Sequence, residues 1–119
     1  MNKIKLANIP KKGRGVIADE YYENEDVIHI APFLVVPKEE DAFICDSFLG
    51  DYVFENNDNN TVIGMGLSSF FNHSDRPNAE FIFDNDSIIF IALTSIFVGD
   101  EITINYGWDD EELYESFIR

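Results

Sequence analysis

Apolar and polar positions alternate with a period of two along much of this chain, and a helical period shows only near its end. "KIKLANI" (3–9) alternates well enough for a strand, and "KKGRG" (11–15) marks a glycine turn feeding "GVIA" as a second strand. "DEYYENED" (19–26) reads as a polar connection. "VIHIAPFLVV" (27–36) is extended and β-branched, interrupted by Pro32 and stopped by Pro37. "KEEDAFICDSFLGDYVFEN" (38–56) has no clean period, and its middle fits a short helix or irregular chain equally; "ENNDNN" (55–60) is a turn. "AEFIFDNDSIIFIALT" (79–94) is a hairpin, two apolar strands around a turn at Asp84–Ser87, and "DEITINY" (100–106) follows as another strand. "WDDEELYESFIR" (108–119) closes as a helix, with Asp109 as its cap, Glu112 completing a capping box, and Leu113 and Phe117 four apart on one face. The sum is a β-dominated α+β domain, or an all-β one, with few short helices.

At 119 residues, 45% apolar and with eleven Phe, the chain can bury a core and reads as one domain spanning 1–119. No apolar run reaches membrane-spanning length and "MNKIKLANIP" lacks a signal-peptide apolar region, so an intracellular site is expected, in cytosol or nucleus, of the source or of a host cell. One cysteine, Cys45, excludes an internal disulfide and a Cys-rich zinc site. The net charge of −15 argues against direct nucleic-acid binding, since phosphates would be repelled. It suits a basic partner steered by the protein's field, and it equally suits plain solubility of a Phe-rich domain.

"FFNHSDRPNAEF" (70–81) invites several chemical readings, and most fail. Ser74 adjoins His73 too closely for a productive nucleophile–base pair, no G-x-S-x-G elbow exists, and Cys45 in "FICDSF" carries no signature of a reactive thiol. His29 and His73 are the only histidines, and His29 falls in an apolar strand, so no metal site is expected. The Asp/Asn clusters lack the Gly and Glu of a calcium loop and read as turns. "NHS", "NNT" and "NDS" match a glycosylation acceptor without a secretory signal, and "KGRG" and "GMG" lack the third glycine of a dinucleotide loop.

Read together, "KKGRGVIA", "DYVF", "FFNHSDRPNAEF" and "VGDEITINYGW" closely resemble the SET-domain protein-lysine methyltransferases. The chain looks most like the small stand-alone members found in large viruses and some microbes. The motifs carrying this are Gly13-Arg14-Gly15, Phe70-Phe71-Asn72-His73-Ser74, and Gly99 through Gly107. The resemblance implies several small curved β-sheets, and a C-terminal pseudoknot in which the chain near Tyr106 passes under the Asn-His-Ser segment. It implies S-adenosylmethionine as methyl donor, S-adenosylhomocysteine as product, and the lysine ε-amine of a basic, histone-like protein as acceptor, with no metal. By the same resemblance Tyr106 is the active-site tyrosine, orienting the amine. Gly13, Arg14, Gly15, Asn72, His73 and Tyr106 hold the cofactor, while Tyr52, Ile104 and Trp108 line the substrate-lysine channel, the aliphatic Ile104 leaving room for higher methylation.

Three departures from the family pattern matter. Ser69 stands where an Arg is frequent, the Gly-Glu turn after the second strand reads Glu25-Asp26, and no Cys-rich zinc segment follows the core. "GWDDEELYESF" is therefore expected to close the channel, with a second copy of the chain as a candidate partner. The competing reading is a SET-like module without catalysis that binds a basic peptide or the cofactor.

Overall fold

The computed structural model describes residues 3–106, and the chain within them forms three small sheets, of two, five and two strands, around one core. β1 (Ile4–Ile9) and β2 (Gly13–Ala18) make an antiparallel ribbon. β3 (Val27–Val35), β4 (Val53–Glu55), β5 (Thr61–Gly64), β7 (Ala79–Asp84) and β8 (Ser87–Ala92) make a five-stranded sheet in the order β4-β5-β3-β8-β7. β6 (Asn72–His73) and β9 (Thr103–Ile104) pair in parallel, bringing the 71–74 and 103–106 segments side by side as the pseudoknot expectation requires. One short α-helix, α1 (Asp41–Asp46), and 3-10 turns at Lys38–Glu40, Phe48–Tyr52 and Gly66–Ser69 complete the set.

The turn between β1 and β2 falls at Lys11 and Lys12, not at 13–15, and both glycines lie inside β2. Lys11 (φ 69°) and Gly13 (φ 86°) take the left-handed conformations that reverse the chain. Pro32 does not break β3. It stands where the strand changes partner, from β8 over 27–32 to β5 over 33–35. At that handover its carbonyl accepts from Met65 N–H and the next donor, Phe33 N–H, reaches Asp86, so a missing N–H costs nothing. The middle of the ambiguous 38–56 segment is a short helix between 3-10 turns, and its end, Val53–Glu55, is strand β4.

The hairpin at 79–92 turns at Asp84–Ser87 as expected, with Asn85 at φ 52°. Its period-two pattern is strict in β8, where Ile88, Phe90 and Ala92 face the core and the residues between them do not. "DEITINY" is a strand only at Thr103–Ile104, with Glu101 adding one isolated bridge to Ile17. Most of its backbone is tied instead by side chains and by other segments. The proposed C-terminal helix, with Asp109, Glu112, Leu113 and Phe117, lies outside the described residues.

The core gathers Val16, Val62, Phe71, Ile88, Phe90, Ile96, Ile102 and Ile104, all essentially inaccessible to solvent. Phe71 and Phe90 stack with ring centroids 4.4 Å apart. Phe71 immediately precedes Asn72-His73, so this contact sets the depth at which the Asn-His-Ser run leaves the core.

Candidate active site

A cleft of about 240 Å³ opens at the junction of β2, the Phe48–Tyr52 turn and the 69–73 segment. Gly13, Arg14, Tyr52, Asn72, His73 and Tyr106 all line it, so six of the residues singled out in sequence meet in one place. Gly15 and Ile104 do not line it. Trp108 lies outside the described residues.

Tyr106 forms the floor. Its hydroxyl donates to the Phe71 carbonyl at 2.6 Å, and its backbone N–H donates to His73 Nδ1 at 3.1 Å. Its ring stacks on Phe54 at 5.2 Å and lies 6.0 Å from the His73 ring. Burial, and secondarily the neighbouring Tyr52, push the phenol far above its ordinary value. Tyr106 is therefore a neutral hydrogen-bonding group and not a base. His73 accepts at Nδ1, which places its proton on Nε2, facing Asp75 Oδ1 at 3.3 Å. Its side chain is only 5% exposed, and its task is to hold the Tyr106 backbone.

Asn72 is fixed from outside the cleft. Its Nδ2 donates to Glu101 Oε2 at 2.7 Å, with a longer contact to the Arg14 carbonyl at 3.3 Å. Glu101 Oε1 in turn receives Lys12 Nζ at 2.9 Å. This chain of contacts explains Gly15. A Cβ there would sit 2.6 Å from Asn72 Nδ2, 2.7 Å from Ile9 Cγ1 and 2.9 Å from Glu101 Oε2. Gly15 thus clears space for the Asn72–Glu101 pair. Gly13 differs: a Cβ would meet nothing within 4 Å, and glycine is needed for φ 86°, which leaves bare backbone on that wall.

Arg14 rests over the Phe70 ring with Cζ 5.0 Å from its centroid, and Tyr52 packs on Phe70 at 6.3 Å and on Phe48 at 5.4 Å. The cleft therefore has an aromatic side ending in a cation. Lys12 and Asp51 also line it. The sequence reading missed Lys12, Asp51 and Glu101; Glu101 stood inside a motif already noted, but nothing in a linear pattern shows that its carboxylate reaches Asn72. Ile104 is fully buried in the core and pairs with His73 in the β6–β9 ladder.

A buried tyrosine locked beneath a Phe-Asn-His segment by a parallel two-residue pairing is the arrangement the motifs implied. The family model described as "SET domain" matches residues 13–107. The chain belongs to the SET-domain family. Among curated proteins, this SET domain is 30% identical over 115 residues to a "Histone-lysine N-methyltransferase, H3 lysine-37 specific" of Schizosaccharomyces pombe, covering 92% of this chain and 78% of that protein. Among solved structures it superposes with TM-score 0.76 and 29% identity on a crystal structure from Plasmodium falciparum described as a candidate histone methyltransferase, covering 90% of this chain and 95% of that one. The strand-dominated fold of small curved sheets is that of the family, and both of these relatives are named as histone methyltransferases.

Proposed function

We propose that this protein transfers a methyl group from S-adenosylmethionine to a lysine ε-amine of a basic, histone-like protein. The observation that carries this reading is Tyr106, protonated and buried at the floor of a cleft walled by bare backbone at Gly13, by Arg14 and by Asn72. The cleft residues suit the cofactor chemically: Arg14 offers a cation for an amino-acid carboxylate, Asp51 an acceptor for hydroxyl or amino groups, and Tyr52 and Phe70 flat apolar surface. When bound, the sulfonium supplies an activated methyl group.

The protein's own part is alignment, which alone removes much of the barrier for an in-line displacement. The Tyr106 hydroxyl donates to the Phe71 carbonyl, which fixes the direction of its oxygen at the cleft floor, where it meets the incoming amine. That contact aims the amine and does not deprotonate it, because a phenol held this far above its ordinary value gives no general base. The lysine must therefore arrive neutral, and an apolar aromatic wall lowers its pKa in the required direction.

Incubation with isotopically labelled S-adenosylmethionine and a mixture of basic proteins tests the reading. Transfer is expected, and Tyr106→Phe should reduce kcat by about two to three orders of magnitude while leaving cofactor binding in place. Cofactor binding without transfer to any protein would favour the non-catalytic module. A thermal midpoint unmoved by saturating cofactor would remove the methyltransferase and the cofactor-binding module, since a ligand that binds the native state must raise it, and would leave only a basic-peptide module.

A further inference from the structure

At the far end of β2 from the cleft, two loops are zipped together. Tyr22 and Ile96 exchange both backbone hydrogen bonds at 2.9 Å, and both side chains are buried. Alternation turns their neighbours outward, Tyr21 at 46% exposed and Phe97 at 59%, and Val98, next along the chain, is 65% exposed. The Tyr21 and Phe97 rings touch at 5.2 Å, and the Tyr21 hydroxyl is held by Ser95 Oγ at 3.1 Å, so the aromatic pair is fixed before anything binds. Residues 19–26 and 93–100 carry six acids (Asp19, Glu20, Glu23, Glu25, Asp26 and Asp100) and no Lys or Arg. Asp26 and Asp100 cap the loops through Glu23 N–H and Phe97 N–H, and Asp19 lies 3.8 Å from Lys5. The local field is negative enough to be felt inside: the Tyr22 phenol is pushed up to about 12, by burial first and then by Glu20, Asp19 and Asp26.

We propose that the Tyr21–Phe97–Val98 patch is a second substrate-docking surface, taking a Lys/Arg-rich segment that flanks the acceptor lysine. It rests on the methyltransferase reading and adds where the substrate is held. Exposed aromatic faces on loops rich in carboxylates match guanidinium and ammonium groups on flexible apolar stems, which stack on the rings while their charges meet the acidic loops. The spacing also suits one peptide. Arg14 lines the cleft, and four residues along β2 the Ala18 backbone bonds to Gly99 and Asp100. Cleft and patch are thus on the order of 15 Å apart, which extended chain crosses in about five residues.

The test uses the whole chain and a fluorescent peptide of about twelve residues built from Arg, Ser and Gly, which spans the patch but offers no lysine. Tyr21→Ser with Phe97→Ser, and separately Glu23→Gln with Glu25→Gln, alter exposed positions, and unchanged thermal midpoints check the fold. Each pair should weaken the Arg peptide about tenfold or more, and raising salt from roughly 50 to 250 mM should weaken wild-type binding. With a long basic acceptor the variants should raise KM at constant kcat, while a short acceptor without flanking basic residues should be methylated equally by all. Arg-peptide affinity that is absent, or unchanged in both variants, overturns the proposal. So does a wild-type dimer in sedimentation that the aromatic variant dissociates, since the patch would then be a self-interface. Patch-dependent Arg-peptide binding with no methyl transfer to any protein would sink the methyltransferase reading instead, and leave a basic-peptide docking surface.

Discussion

Glu101→Ala should loosen the cleft although Glu101 does not itself line it. The substitution removes two partners at once: Asn72 Nδ2 at 2.7 Å and Lys12 Nζ at 2.9 Å. The first is a charge-assisted hydrogen bond at a partly buried site, worth about 1.5–3 kcal/mol. The second joins side chains 43% and 17% exposed, and a solvent-screened pair contributes about 0.2–1 kcal/mol. Together these give about 2–4 kcal/mol, or a fall in thermal midpoint on the order of 8–16 °C for a domain of this size. Without Glu101, Asn72 keeps only the 3.3 Å contact to the Arg14 carbonyl, so its side chain swings and cofactor affinity drops as well. Glu101→Gln retains an acceptor and should cost about half as much, and Lys12→Met should cost less than about 1 kcal/mol. Denaturant unfolding with and without saturating cofactor measures both effects. If Glu101→Ala falls within about 0.5 kcal/mol of wild type with unchanged cofactor affinity, the Lys12–Glu101–Asn72 chain holds nothing in place.

Two further outcomes follow from burial. Ile104→Ala empties a site with no solvent access between the β6–β9 pairing and the core, and should cost about 2–5 kcal/mol in urea unfolding; a loss under about 1 kcal/mol would place this side chain outside the core. His29 is half-buried against Phe90 at 6.2 Å, and desolvation lowers its pKa below 6.5. Because the unfolded chain then binds the extra proton first, stability should rise with pH through the region just below 6.5 and fall in acid. His29→Gln should flatten that portion of the stability–pH curve, and an unchanged slope would show that another group sets it.

What could be read in the sequence depended on where each segment finds its partners. The 79–92 hairpin was legible because its partner strand is its own neighbour across a turn, and the two-residue period survives intact in β8. "DEITINY" was over-read because its alternation satisfies a strand pattern, while its actual hydrogen bonds go to Val16, to the Asn78 side chain and to His73. Tyr106, Asn72, His73, Gly13, Arg14 and Tyr52 were found through motifs and do converge on one cleft. Gly15 was found for a different reason from the one the structure gives, since the close approach it permits comes from Asn72 and Glu101. No local rule exposes a carboxylate that reaches across 29 residues.

The placement of charge bears on why the protein is so acidic. Solubility alone would scatter acids over the surface, yet five of the eight residues 19–26 are Asp or Glu, against 23 in 119 overall. Two of the eight cations, Lys12 and Arg14, meet instead at the cleft. Lys12 is committed to Glu101, so Arg14, laid across Phe70, is the cation the cleft presents to an incoming carboxylate. A methyl donor with an amino-acid tail and a basic peptide need opposite fields, and β2 separates the two surfaces by about four residues of strand. Salt should therefore weaken peptide docking while leaving methylation of a short neutral acceptor nearly untouched, which uniform surface acidity would not do. Equal salt sensitivity of the two acceptors would return the charge of −15 to solubility alone.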